Sequence, residues 1–80
     1  MINVKNYISI DKEILGGQVV FKDTRVPVET LFWHLEKGLS LDEFLDDFPA
    51  VKKEQEVAVL EMAGTIITSK NIEQLYATAA

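Results

Sequence analysis

Two apolar stripes of the same spacing, set one after the other, constrain this chain more than any other feature of its sequence. Val28, Leu31, Phe32 and Leu35 fall at i, i+3, i+4 and i+7, and Leu41, Phe44, Leu45 and Phe48 repeat that interval. Such an interval returns to one side of an α-helix and does not match the two-residue period of a strand. Gly38 stands where a C′ glycine ends a helix through positive φ, and Ser40 with Glu43 forms an S-x-x-E capping box that starts the next one. The pattern predicts a first helix over 28–37 and a short second helix that ends before Pro49.

The stretch from 52 to about 68 contains no proline and places Val57, Leu60, Ala63, Ile66 and Ile67 at helical spacing, predicting a third and longest helix with those residues as its apolar face. Gly64 weakens its middle by about 1 kcal/mol relative to alanine. Asn71 with Gln74 offers a cap before Ile72, Leu75, Tyr76 and Ala79, an amphipathic turn or two. Ahead of the helices, Ile8 and Ile10 alternate with Tyr7, Ser9 and Asp11, which predicts a strand near 7–10. Gly16 and Gly17 permit a sharp reversal, Val19, Val20 and Phe21 read as a second strand, and Asp23 with Thr24 makes a turn. Pro27 holds Val26 extended and suits a helix start, so the chain changes from strand to helix there. The fold expected is mainly α: a short N-terminal β element, a three-helix domain and an additional C-terminal helical segment. All of 7–80 is read as one domain, with a β arm at 7–27, a helical core at 28–68 and the last segment at 69–80.

Eighty residues have room for one core, and 48% apolar content excludes disorder as the global reading. With no cysteine there are no disulfides, thiolate nucleophiles or thiolate metal sites, and a reducing, cytoplasmic setting is expected. A core of this size supplies about 3–5 kcal/mol, and with one histidine and no cysteine the expected supplement is a partner chain, most simply a homodimer. Net charge is −5, unevenly spread: the first 28 residues carry four cations against three anions, the remainder four against ten. That balance opposes a general attraction to phosphates or anionic lipid. No apolar run reaches the ~18 residues of a membrane span and no signal-type stretch opens the chain, so no membrane association is expected.

The stretches Ile8-Ser9-Ile10-Asp11, Ile14-Leu15-Gly16-Gly17 and Val20-Phe21-Lys22-Asp23-Thr24-Arg25-Val26-Pro27-Val28, continued by Gly38-Leu39-Ser40-Leu41-Asp42-Glu43 and by Phe48-Pro49 through Val59-Leu60-Glu61, resemble a bacterial and archaeal domain-of-unknown-function family, number 433. The resemblance covers about 7–63. It implies a homeodomain-like helix-turn-helix fold behind an N-terminal β element. It also makes an antitoxin, encoded beside a PIN-like ribonuclease toxin, a candidate function. Three departures stand out. Gln18 and Val19 replace a basic residue and proline; Asp23 replaces the usual glycine; Lys52 and Glu56 stand where the family often has a threonine or serine cap and a small or apolar residue.

The second and third helices form a candidate helix-turn-helix with Lys52, Lys53 and Gln55 at the leading end of the recognition helix; the alternative is a packing motif with solvated lysines. Lys22 and Arg25 add candidate phosphate contacts, although Arg25 suits equally an ion pair with Asp23, Asp11 or Glu29. On a helical wheel Trp33 falls almost opposite the core stripe, which marks it as an interface anchor or as a residue covered by the N-terminal strands. His34 reads as a lone surface histidine. Asp42, Glu43, Asp46 and Asp47 read as the solvated face of the second helix and as a surface that basic residues of a toxin would meet. Ile72, Leu75 and Tyr76 at i, i+3 and i+4 either close the core or a dimer, or dock into a partner's groove. No nucleophile and base are paired and Gly16-Gly17 lacks the rest of a phosphate loop, so no enzyme, cofactor or metal is expected. The reading is an antitoxin-like, homodimeric binding protein that neutralises a PIN-like toxin and also binds DNA for autoregulation; the alternatives are a DNA-binding regulator or a dimeric scaffold.

Overall fold

The structure, a computed structural model, describes residues 3–79. After a single 3-10 turn at Val4–Asn6 the chain enters β1 (Ile8–Ile10), which pairs antiparallel with β2 (Val19–Phe21) in the register Ile8↔Phe21, Ser9↔Val20 and Ile10↔Val19. The connection closes through Ile14 N–H to the Asp11 carbonyl at 2.9 Å and then a 3-10 turn at Leu15–Gly17, where Gly16 and Gly17 take φ of 67° and 90°. Only a residue without Cβ adopts those angles at no steric cost, which is what the glycine pair supplies.

The turn after β2 depends on Asp23, a non-glycine residue at φ 61°. Thr24 closes it by donating its hydroxyl to the Phe21 carbonyl at 2.8 Å while accepting Val26 N–H at 3.1 Å. Aspartate is among the few residues that tolerate the left-handed region. Phe21 N–H then bonds the Val26 carbonyl at 3.0 Å, and Pro27 delivers the chain into α1 (Val28–Glu36). Gly38, at φ 84°, ends α1 as its position predicts, with Gly38 N–H on the Leu35 carbonyl and Leu39 N–H on the His34 carbonyl. The capping box opens α2 (Leu41–Asp47) with both reciprocal bonds present, Glu43 N–H to Ser40 Oγ at 3.1 Å and Ser40 N–H to Glu43 Oε1 at 3.3 Å. α3 (Lys53–Ile67) and α4 (Asn71–Thr78) complete the chain. Asn71 is the first helical residue of α4 and not its cap; Lys70 occupies that place without a side-chain bond.

The core is drawn from every layer: Phe21 from β2, Leu31 from α1, Phe44 from α2, Val51 from the α2–α3 connection and Val59 from α3. Phe21 and Phe44 stack at a tilt with centroids 5.9 Å apart, and Phe48 lies 5.0 Å from Phe44. Phe21 and Val20 are wholly buried, so the β element is a wall of the core and not an arm laid over it. The architecture is mainly α with an N-terminal two-stranded element.

Two assignments of faces change. The first concerns α3, whose buried residues are Gln55, Glu56, Ala58 and Val59, while Val57, Ile66 and Ile67 are exposed. Each residue turns about 100°, so Gln55, Val59 and Met62 share one side and Val57, two steps from Val59, lies opposite. The second concerns His34, which is not a free surface side chain. Its ring packs edge-on against Phe44 and Phe48 with centroids at 5.3 and 5.4 Å, donates from Nδ1 to the Thr30 carbonyl at 3.0 Å and places Nε2 3.4 Å from Asp47 Oδ2. The buried side of α1 is therefore rotated toward α2, centred on Leu31 instead of midway along the apolar stripe.

Candidate interaction surfaces

The start of α3 is tied to the β2–α1 turn by one side chain. Gln55 accepts Lys52 N–H on Oε1 at 2.8 Å and donates from Nε2 to the Lys22 carbonyl at 2.9 Å, spanning 33 residues of sequence. Both ends of its amide are thus committed to backbone, and the residue is buried. This corrects the expectation that Gln55 projects from the recognition helix: it holds two segments together and presents nothing outward. A polar residue three places after the helix start would signal this role, because that spacing lets the side chain return to the cap N–H.

The same tie brings Lys22 and Lys52 to the rim of one hollow of about 290 Å³, floored by Tyr7 and Gln55 and edged also by Asp23 and Glu54. Lys52 and Lys53 are exposed and Lys22 half-buried. Arg25 is directed elsewhere, into a shallow recess with Ser9, Ile14 and Asp23, and among the described residues it has no ion pair within 4.0 Å. Of the five residues singled out for phosphate or base contact, the structure assembles Lys22, Lys52 and Gln55, leaves Lys53 on the open side of α3 and sets Arg25 apart.

Across the molecule, Asp42, Glu43, Asp46 and Asp47 are all exposed along α2. Asp47 approaches His34 and Glu43 serves the capping box, while Asp42 and Asp46 have no ion pair among the described residues. Among those residues no three His, Asp or Glu side chains converge as metal ligands do. Trp33 is 51% exposed, on the ridge of α1 between the side that meets α2 and the side carrying Phe32.

Glu56 is a feature the sequence pattern did not single out as buried. It is wholly enclosed, and among the described residues neither carboxylate oxygen has a hydrogen-bond partner. Burial raises its pKa above the ordinary value, the nearby Asp42 carboxylate raises it further, and Lys53 partly offsets the two.

A mostly apolar concavity of about 890 Å³ runs between the N-terminal segment, the hairpin and α3, with Val19, Val28, Phe32, Met62 and Ile66 among its lining. Beyond it, α4 displays Leu75 at 65% and Tyr76 at 84% exposure, with Ile72 half-buried. No helix among the described residues is long and apolar enough to cross a membrane.

A family model described as a protein of unknown function, DUF433, matches residues 8–63. Neither a curated protein nor a solved structure matches the chain.

Proposed function

The chain belongs to the DUF433 family of proteins of unknown function, and from that premise we propose that it is a non-enzymatic, antitoxin-like binding protein that acts as a homodimer in the cytoplasm and neutralises a basic protein partner, a ribonuclease toxin of the PIN-like kind. The observation that carries this reading is the outward face of α2, where Asp42 and Asp46 are exposed without an ion pair among the described residues and Glu43 and Asp47 extend the same acidic row. Trp33 stands exposed on the neighbouring helix, a large rigid anchor of the type enriched at interface centres. A row of like charge steers and selects a basic surface, while an aromatic anchor holds it. Asp46→Lys combined with Trp33→Ala tests the reading by co-expression with the product of the adjacent gene. The wild type is expected to co-purify with that product and relieve its toxicity, and the double variant to lose both while remaining folded. Complex formation that is indifferent to the double variant and to 0.5 M salt, at which exposed charges are strongly screened at roughly 4 Å, counts against it.

A second reading, DNA binding through a homeodomain-like helix-turn-helix, draws on the shared hollow of Lys22 and Lys52 at the start of α3. With Gln55 committed internally, that hollow offers charge to phosphates and no side-chain amide to a base edge. Binding to the chain's own upstream DNA at ~100 mM salt, abolished by Lys52→Glu with Lys53→Glu, supports it. Absence of binding removes it.

A further inference from the structure

The outward side of α1 carries a combination of side chains that the packing of the core does not explain. With Leu31 buried at the centre of the inward side, Glu29, Trp33 and Glu36 fall on the opposite side, Glu29 one turn before the indole and Glu36 one turn after it. Residues three or four apart on a helix are neighbours, with Cβ atoms about 5–6 Å from each other. Both glutamates are exposed, and among the described residues neither has an ion pair. Trp33 is 51% exposed, and the aromatic contacts of the described residues join Phe21, His34, Phe44 and Phe48 without it. Glu36 is also placed against the interest of the helix itself. It is the last residue of α1, at the negative end of the helix dipole, where a carboxylate is disfavoured and a cation favoured. Lys37 follows at the edge of this side and pairs with neither glutamate. From residue 29 onward the chain holds four cations against ten anions, so that half has no surplus of positive charge to meet these carboxylates.

We propose that this side of α1 seats an arginine of a basic protein partner: the guanidinium lies flat on the Trp33 indole while its N–H groups bond the carboxylates of Glu29 and Glu36. Charge complementarity selects the occupant. An apolar surface laid over this side would leave two carboxylates desolvated and unpaired, and a polyanion is repelled by them. A lysine ammonium meets a carboxylate as a strongly hydrated point charge. A guanidinium is planar and less hydrated, stacks on an aromatic face and presents five donors in a fixed fork, so it engages the indole and the flanking carboxylates together. The dipole at the end of α1 adds to the attraction of any cation placed beside Glu36. The proposal rests on the preceding reading of a basic partner and names the side chain of that partner which Trp33 holds. The acidic row of α2 then steers the approach, and α1 supplies the seat.

Trp33 is the chain's one tryptophan, so its fluorescence reports on this seat directly. The test titrates hexa-arginine into the full chain at ~100 mM salt, with hexalysine as the comparison of equal charge. Hexa-arginine is expected to quench Trp33 emission, and hexalysine to bind at least about 3-fold more weakly. Glu29→Gln with Glu36→Gln should weaken the arginine peptide by about 5-fold, the loss expected of two exposed charge pairs. Circular dichroism should not change in that variant, because both side chains are exposed. Asp42→Asn with Asp46→Asn, on α2, should leave the quench at saturation as in the wild type. Three results overturn the proposal: emission that ignores hexa-arginine, equal responses to the two peptides, or an arginine response undiminished in the double glutamine variant. A fourth is emission that varies with chain concentration until Arg25→Gln is introduced, which gives the seat to Arg25 of a second copy, the one arginine of this sequence. A blank titration beside intact co-purification with the adjacent gene product removes this proposal alone. A positive titration without co-purification removes the neutralisation reading alone.

Discussion

The two halves of α3 are inverted with respect to each other. In the first half polar residues are inside: Gln55 and Glu56 are buried while Val57 looks out. In the second half apolar residues are outside, with Ile66 and Ile67 at 72% and 59% exposure. The helix is continuous, and its inward line runs straight from Gln55 through Val59 and Met62 to Ile66. What changes along it is the material opposite. At the start, the β2–α1 turn, α2 and the Val51 connection enclose whatever α3 presents, whereas at the end Ile66 and Ile67 are left mostly exposed among the described residues. Burial in this chain is set by the neighbours a position meets more than by the polarity of the residue placed there.

The broadest way to break that comparison is to truncate one side chain on each side of it. Phe44→Ala removes a wholly buried ring that touches Phe21, His34 and Phe48 and should cost about 3–5 kcal/mol, comparable with the entire stability of a core of this size. Ile66→Ala should change the unfolding free energy of the chain by less than about 0.5 kcal/mol. Urea titrations of both variants, followed by circular dichroism, make the comparison; equal losses would place Ile66 inside a core and dissolve the contrast between the two halves.

Next in size is Glu56, where enclosure meets the wrong chemistry. Its pKa is raised in the folded state, so the native chain holds a proton that the unfolded chain releases, and the stability this confers is complete below the ordinary value of 4.5 and lost as pH rises through the raised one. Glu56→Leu should therefore be more stable than the wild type at pH 7 by about 1–3 kcal/mol, the usual penalty for an unsatisfied buried polar group. The advantage should narrow toward pH 4, and Glu56→Gln should recover only part of it because an amide is left equally unpartnered. A pH-independent difference between Glu56→Leu and the wild type refutes the assignment.

The smaller of the two polar effects sharpens the same point from the satisfied side. Gln55→Ala leaves Lys52 N–H and the Lys22 carbonyl without their side-chain partners and should cost about 1–2 kcal/mol. Amide hydrogen exchange should locate the loosening at Lys52. Glu56→Leu stabilises and Gln55→Ala destabilises on this account, although both remove a polar group from adjacent positions of one helix. The deciding difference is that only Gln55 has its hydrogen bonds made.

Most of the punctuation of the fold was legible before any tertiary contact was known. Ser40 with Glu43, Gly38, Pro27 and the Gly16-Gly17 pair act on backbone within three or four residues of themselves, so their effects follow from local chemistry. The helices begin and end within a residue or two of where those signals place them, and Val19–Phe21 is the second strand as read. Faces were harder. An apolar-periodicity argument assigns the inside to apolar residues, and it therefore placed Val57 inward and Gln55 outward on α3 and left His34 on the surface. The outward position of Trp33 followed correctly, because an isolated residue opposite a full stripe has no competing arrangement on the same helix. Of the candidate sites, the acidic row of α2 and the apolar side chains of α4 were readable as side chains on a helix. The hollow shared by Lys22 and Lys52 was not, since it depends on a bond across 33 residues.

Sequence alone thus determined where this protein's strands and helices start, stop and turn, because capping, positive φ and proline geometry are satisfied by neighbours along the chain. Only the tertiary structure decided which sides of those elements are covered. Enclosure is a property of what packs opposite, and it put Glu56 in the interior, set the His34 ring edge-on against Phe44 and Phe48, and left Ile66 and Ile67 of α3 and Leu75 and Tyr76 of α4 exposed.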